Sequence, residues 1–415
     1  MMSRSAQNRI LLCTSLIIII LVCEVTLRLF IKPSDTCYGV LFNCDLPPFK
    51  IEIDDQDQDY ANYNEEVDVL GKDGKKITKG DLAGILVDHP VLGYAPKENA
   101  VSLNGWWQSN NVGARSRDDI TRSVPPGMRR ILIFGESFTN CRELPQEETW
   151  VYHLNNDSKN IQFVNFGVDG YNMAQCLVRY ELLRDRVDYD IAMFVFVHED
   201  DLWRDLNILR QLRGWKNHPP VPRYIIQGDT LQLIKSPYQT YHDFREKNQH
   251  ALSGALTRHL RSYDRLYYRT KYESPFLTGR SILYKLVARG MYTFQEKQRF
   301  DYIMKTNSEA MRIVRKIFED MNNKATEDGK KFVLVFLPDK KDMMRYTTND
   351  KYRKRYHDMV SAVEGKGITC IDLMSDFIKL NPGDIDASSD GWHYGPRMNK
   401  IISEKIRHHL KALNI

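Results

Sequence analysis

The chain is poor in the residues that would make a metal cage. It has seven cysteines scattered over 415 residues and no C-x-x-C pair, so a zinc site of paired thiolates is not expected. It also lacks a strong charge of either sign. The net charge of +5 is mild for this length, and no basic stripe is interleaved with aromatics, which argues against a nucleic-acid partner. The acidic segment DQDQD at 55–59 lacks the glycine and distal glutamate of a calcium loop. No wide apolar groove for a fatty acyl chain can be read from the pattern. What remains, at 42% hydrophobic and 27% charged, is enough for one large α/β domain with appendages or for two modest domains.

One long apolar run is present. Residues 10–31, with LIIIILVC at Leu16–Cys23, match the roughly 20 residues needed to span a bilayer. Arg4 and Arg9 precede the run and no acid does, so residues 1–9 are expected on the cytoplasmic side. A cleaved signal peptide is the competing reading. Its apolar region would be shorter and followed by a small-x-small site, whereas this run continues through Glu24 to Phe30. An uncleaved single-pass anchor is therefore favoured, in a cell inner membrane, with the main domain on the periplasmic or extracellular side. Glu24 and Arg28 stand at i, i+4 and can pair on one helix face. Residues 32–85 read as an acidic stalk, carrying Asp54, Asp55, Asp57, Asp59, Glu65, Glu66 and Asp68 with poor apolar periodicity. Cys37 and Cys44 could pair if that side is oxidising, and two free thiols are as good a reading.

From residue 86 to 415 apolar runs of strand length alternate with helical patterns. The strands are read at Ile131–Phe134, Ile161–Asn165, Ile191–Val197, Phe332–Leu337 and Ile368–Ile371, and the last helix begins near Pro396. Such alternation predicts a parallel sheet covered on both faces. It breaks over 203–299, too long for a βα loop, which is read as an insertion beside the strand ends: a substrate lid, a partner surface or structural padding.

Four blocks fall at strand carboxyl ends or in a late loop, the edge where open parallel sheets bind ligands. Gly135-Glu-Ser137 follows the first strand, Val164–Tyr171 the second and His198–Trp203 the third, and Asp390-Gly-Trp-His393 precedes the last helix. A serine hydroxyl needs a base. His393 can take the proton of Ser137, and Asp390 can fix the tautomer and stabilise the cation. Thr139 stands where the G-x-S-x-G elbow needs its second glycine, so this is not that motif.

In order and spacing, these blocks resemble the SGNH (GDSL-like) hydrolase family, and within it the membrane-anchored bacterial type associated with surface polysaccharides. The resemblance implies a flavodoxin-like three-layer sandwich with a central parallel sheet. It also implies catalytic Ser137, His393 and Asp390, no cofactor, no metal, and an oxyanion hole from the backbone of Ser137 and Gly167 plus a side chain at the position of Glu199. Two residues depart from the pattern. Glu136 replaces an aspartate of structural role and keeps its charge. Glu199 stands where an asparagine would donate, and a carboxylate cannot. Either burial protonates Glu199, or His198 donates in its place, or the site no longer hydrolyses. The group His198–Asp201 is not expected to bind a metal, because successive strand-end residues point opposite ways.

The expected function is a membrane-anchored serine esterase or O-acyltransferase acting on acyl groups, O-acetyl above all, of a cell-surface glycan. The alternative is a catalytically degenerate protein of the same fold, serving as a binding or scaffold subunit of a membrane or envelope complex.

Overall fold

A computed structural model describes residues 4–53, 66–70, 76–78, 85–215, 218–248, 251–275 and 279–415. The core of the acidic stretch, Asp54 to Glu65, lies outside the described residues. The chain begins with helix α1 (Arg4–Arg28), whose segment Ala6–Arg28 has a mean hydropathy of 2.7 and is long and apolar enough to cross a bilayer. Glu24 and Arg28 do pair, at 2.7 Å.

The start of the expected stalk is folded. Strands β1 (Ile31–Lys32), β2 (Cys37–Leu41) and β3 (Cys44–Phe49) form an antiparallel sheet. Its buried Leu41 and Leu46 pack with Ile282, and Leu27, Ile31 and Leu286 close the cluster. These strands are too short to show a pattern alone, and the surface they cover lies more than 200 residues away in sequence. Both Cys37 and Cys44 are free thiols. Leu41 faces Cys44 and Cys37 faces Phe49, so the two cysteines sit at opposite ends of the hairpin, four residues apart along β2 or about 13 Å. That exceeds the reach of a disulfide.

The main domain is built on β4 (Arg129–Phe134), followed by the one-turn helix α2 (Ser137–Asn140) and by α3 (Trp150–Asn156). Next come β5 (Ile161–Asn165), α4 (Met173–Leu183), β6 (Ile191–Phe196) and α5 (His198–Arg204). After the insertion the chain continues through α6 (Ile282–Ile303), α7 (Glu309–Glu327), β7 (Lys331–Phe336), α8 (Lys340–Thr348), α9 (Asp350–Glu364), β8 (Thr369–Asp372) and α10 (Pro396–Ala412). The sheet order is β8-β7-β6-β4-β5 and every pair is parallel. This is the flavodoxin-like order, whose switch point lies between β4 and β6. Helices α3 and α10 pack together on one face, while α4, α7 and α9 cover the other. All six residues of β6 are buried, as a central parallel strand requires.

The insertion has its own hydrophobic cluster, including Ile208, Leu209, Tyr241, Phe244, Leu256 and Leu260. It also carries a hairpin, Arg223–Gln227 paired with Thr230–Ile234. Its end is clasped to the first helix. Glu24 of α1 accepts from Ser281 Oγ at 3.0 Å and from the Ile282 and Leu283 amides at 2.8 and 3.2 Å, so it supplements the Ser281 cap of α6. Arg28 donates to the Arg280 carbonyl at 2.5 Å.

Candidate active site

The serine is placed by a tight strand-to-helix turn. β4 ends at Phe134, and Gly135 follows where a Cβ would lie 2.2 Å from Thr139 Oγ1. Glu136 caps α2, its carboxylate accepting the Phe138 amide at 2.9 Å, and Cys141 ends the helix in the left-handed region at φ 54°. Ser137 is thus the first helical residue, 5% exposed, and its own amide is one of the donors a helix start leaves unpaired.

The second strand end packs onto this turn. The Val168 amide donates to the Gly135 carbonyl at 3.0 Å. Asn165 donates to the Thr139 carbonyl at 2.8 Å, and its Oδ1 accepts the Gly167 amide at 2.9 Å. The expectation that Gly167 offers a free oxyanion donor therefore differs from what is found. Its amide is engaged by Asn165, and the glycine is required because a Cβ would lie 2.7 Å from the Asn140 nitrogen.

The third partner arrives from the loop before α10. Asp390 Oδ1 accepts from Ser388 Oγ at 2.7 Å and from the Trp392 and His393 amides at 2.8 and 3.0 Å, a turn closed with Gly391 at φ 71°. Asp390 Oδ2 bonds His393 Nδ1. His393 Nε2 lies 2.7 Å from Ser137 Oγ. Ser137 thus meets Asp390 and His393, both more than 250 residues further along the sequence, in one connected serine–histidine–aspartate array at the carboxyl edge of the sheet.

Burial works against ionising Asp390, but hydrogen bonds to His393 and Ser388 and the charge of His393 outweigh it and hold the carboxyl well below its ordinary range. Burial likewise lowers the affinity of His393 for a proton. The facing Glu143 and the bonded Asp390 overcome that and raise its pKa to about 10. Glu143 was not singled out in the sequence. Its Oε2 sits 3.7 Å from His393 Nδ1, and burial raises its carboxyl. Glu143, Asp390 and His393 offer atoms within 4.8 Å of one another, a spacing a cation could bridge. Nδ1 is already bonded to Asp390, so we read the group as an imidazole flanked by two acids.

The third block is directed elsewhere. Glu199 forms an ion pair with Arg345 of α8, whose guanidinium lies 4.3 Å from the Phe300 ring centre in α6. His198 is 1% exposed, and its Nδ1 lies 3.0 Å from the Tyr352 hydroxyl. Burial drives its pKa down to about 3, which keeps the ring neutral. Glu199 is thus engaged by Arg345 and His198 Nδ1 by Tyr352, and a carboxylate paired with a guanidinium cannot donate to an oxyanion. Asp201 accepts the Val197 amide at 2.7 Å, and Asp200 holds Arg204 at 2.5 Å.

Fold and site together define a doubly wound α/β protein with a Ser–His–Asp array at its strand ends. No family model matches the chain, and no curated protein does. Solved structures similar to it include a member of the lipolytic G-D-S-L family from Veillonella parvula DSM 2008, at 11% identity over 68% of this chain and 97% of that one, TM-score 0.32. The psychrotrophic esterase EstA from Pseudoalteromonas sp. is 12% identical over 69% and 100%, TM-score 0.34. The acetyl xylan esterase AlAXEase is 13% identical over 68% and 99%, TM-score 0.34. At these values the likeness carries no functional argument, and the chemistry rests on the side-chain geometry.

Proposed function

We propose that the chain is a serine esterase or O-acyltransferase of the SGNH type, held to a membrane by α1 and acting on acyl groups, O-acetyl above all, of a cell-surface glycan. The observation that carries the reading is the 2.7 Å contact between Ser137 Oγ and His393 Nε2, with Nδ1 held by Asp390. In the reaction, Ser137 attacks the acyl carbonyl as His393 takes its proton. His393 then protonates the leaving sugar oxygen, and water or an acceptor hydroxyl releases the acyl group. The Ser137 amide at the start of α2 supplies one oxyanion donor. On this reading the work is done at the cell inner membrane, with the amino terminus cytoplasmic and the domain outside, which the basic Arg4 and Arg9 ahead of the apolar run support.

The test is p-nitrophenyl acetate turnover by the full-length protein in detergent, compared with Ser137→Ala. Equal rates remove Ser137 from the mechanism.

A second reading has its own support. The Gly167 amide is engaged by Asn165, and Glu199 is paired with Arg345, so the donor set is short of an ordinary oxyanion hole. Losing one donor costs about 10²–10³ in rate. On this reading the fold serves as a binding or scaffold subunit in the envelope. Covalent labelling of Ser137 by a fluorophosphonate excludes it.

A further inference from the structure

The Ser137 hydroxyl carries one proton and stands between two groups. His393 Nε2 is on one side at 2.7 Å, and Glu136 Oε2 is in hydrogen-bond contact on the other. Glu136 is fully buried and fixed. Its Oε1 accepts the Phe138 amide at 2.9 Å, and its Oε2 accepts from Arg204 at 2.9 Å. A buried guanidinium at that distance marks Glu136 as a carboxylate, which only accepts. Ser137 must therefore give its proton to the Glu136 bond. Nε2 then faces lone pairs on Oγ, and the contact is a hydrogen bond only if Nε2 carries a proton. At the other nitrogen, Asp390 already takes three donors besides Nδ1 and is likewise an acceptor. Both ring nitrogens must donate, and a ring with two N–H groups is an imidazolium.

We propose that Glu136 holds the Ser137–His393–Asp390 array with one proton more than a working serine triad, so that His393 rests as a cation and the nucleophile is armed only when that proton is lost. Glu136 is on this view a positioning residue. The inference rests on reading Ser137 and His393 as nucleophile and base. Release of the proton to solvent leaves Nε2 with a lone pair. The Ser137 proton then swings from Glu136 to Nε2, and Oγ becomes free to attack.

The groups facing the ring agree. Glu136 stands at the start of α2. Glu143, 3.7 Å from Nδ1, comes from the loop after α2, where Arg142 is paired with Asp169 at 2.8 Å. Asp390 comes from the ring's own loop, and the Phe138 ring lies with its centre 4.8 Å away. Among the described residues, three acids and no base thus contact the imidazole directly or through Ser137, and the raised affinity of His393 for its proton follows the same sign. An aspartate at 136 would be one methylene shorter and would withdraw its oxygen from Ser137.

The experiment is ring-labelled histidine NMR on the full-length protein in micelles, with His393 assigned by His393→Gln. The expected result is a doubly protonated His393 at neutral pH, whose titration midpoint falls by a unit or more in Glu136→Asp. Glu136→Gln should do the same if it folds, and Glu136→Asp keeps the partner of Arg204 in case it does not. A unit is about a tenfold gain in free base at neutral pH, so ester turnover there should rise by up to that factor in Glu136→Asp. A neutral His393 in the wild type, or a midpoint unmoved by Glu136→Asp, overturns the proposal. A cationic His393 whose midpoint falls in Glu136→Asp, in a protein that turns over no ester at any pH, leaves the extra proton assigned to Glu136 standing and sinks the esterase reading together with the arming step that rests on it.

Discussion

His393 is the residue on which most of the site's electrostatics converge, and that has a consequence for stability as well as chemistry. Its ordinary pKa of 6.5 is raised to about 10 in the folded protein. A group that binds its proton more tightly when folded stabilises the fold below its unfolded pKa. That contribution is complete below about pH 6.5, fades between there and about pH 10, and is gone above. The thermal midpoint of the wild type should therefore exceed that of His393→Gln by most near pH 6 and by least near pH 10.5, both values being approximate. A gap that widens with pH would mean that the two flanking acids do not hold an imidazolium. The acid closest to this effect after Asp390 was hidden in the sequence. Glu143 meets His393 across 250 positions, and nothing about its neighbours Arg142 and Leu144 distinguishes it from a solvated glutamate. Ser137, Asp390 and His393 were legible because chemistry demands those residue types at strand ends. Glu136 was legible as a residue, but its contact with the serine was not, since one methylene of reach decides it.

At the level of elements, the site depends on β4, α2 and the turn after β5 lying in close contact. Gly167 is where that contact is closest: an added Cβ would come within 2.7 Å of the Asn140 nitrogen and of Thr139 Cβ and Cγ2. One of these atoms is backbone, so the turn after β5 and α2 must separate. Gly167→Ala should cost about 1–3 kcal/mol through overpacking and, by moving α2, lower ester turnover more than it lowers the population of folded protein. Thermal unfolding and turnover measured on the same sample check this. A variant as stable and active as the wild type would show that the two turns have room to slide. The strands of the main sheet could be read from sequence because central parallel strands are continuous apolar runs bounded by turns. The sheet of β1, β2 and β3 could not, because its strands are short and half-polar and acquire a buried face only against α6. For the same reason the insertion could be recognised by its length while its separate core could not.

For the whole molecule, the question is whether α1 remains part of the mature chain. A leader that is removed has no reason to make specific bonds with the folded domain. Here its last turn does: Glu24 takes donors from Ser281, Ile282 and Leu283, Arg28 bonds the Arg280 carbonyl, and Leu27 joins the apolar cluster under the small sheet. Cleavage after this turn would leave Ser281 as the cap of α6 but take the Glu24 acceptor from the Ile282 and Leu283 amides, and would open that cluster to water. Loss of such an acceptor alone costs about 0.5–2 kcal/mol, and the exposed apolar surface adds to it. The expected outcome is that protein recovered from the membrane fraction of expressing cells keeps residues 4–28, as read by intact mass. Glu24→Ala should stay in that fraction but lose hydrogen-exchange protection at the start of α6. The two measurements separate the roles of the helix. If α1 is the anchor proposed above, its apolar length holds the chain in the bilayer whatever stands at position 24, whereas the carboxylate acts on the folded domain. A soluble product beginning beyond Arg28, with α6 as well protected as in the full chain, would show that the contact is not needed and would return α1 to the reading of a leader.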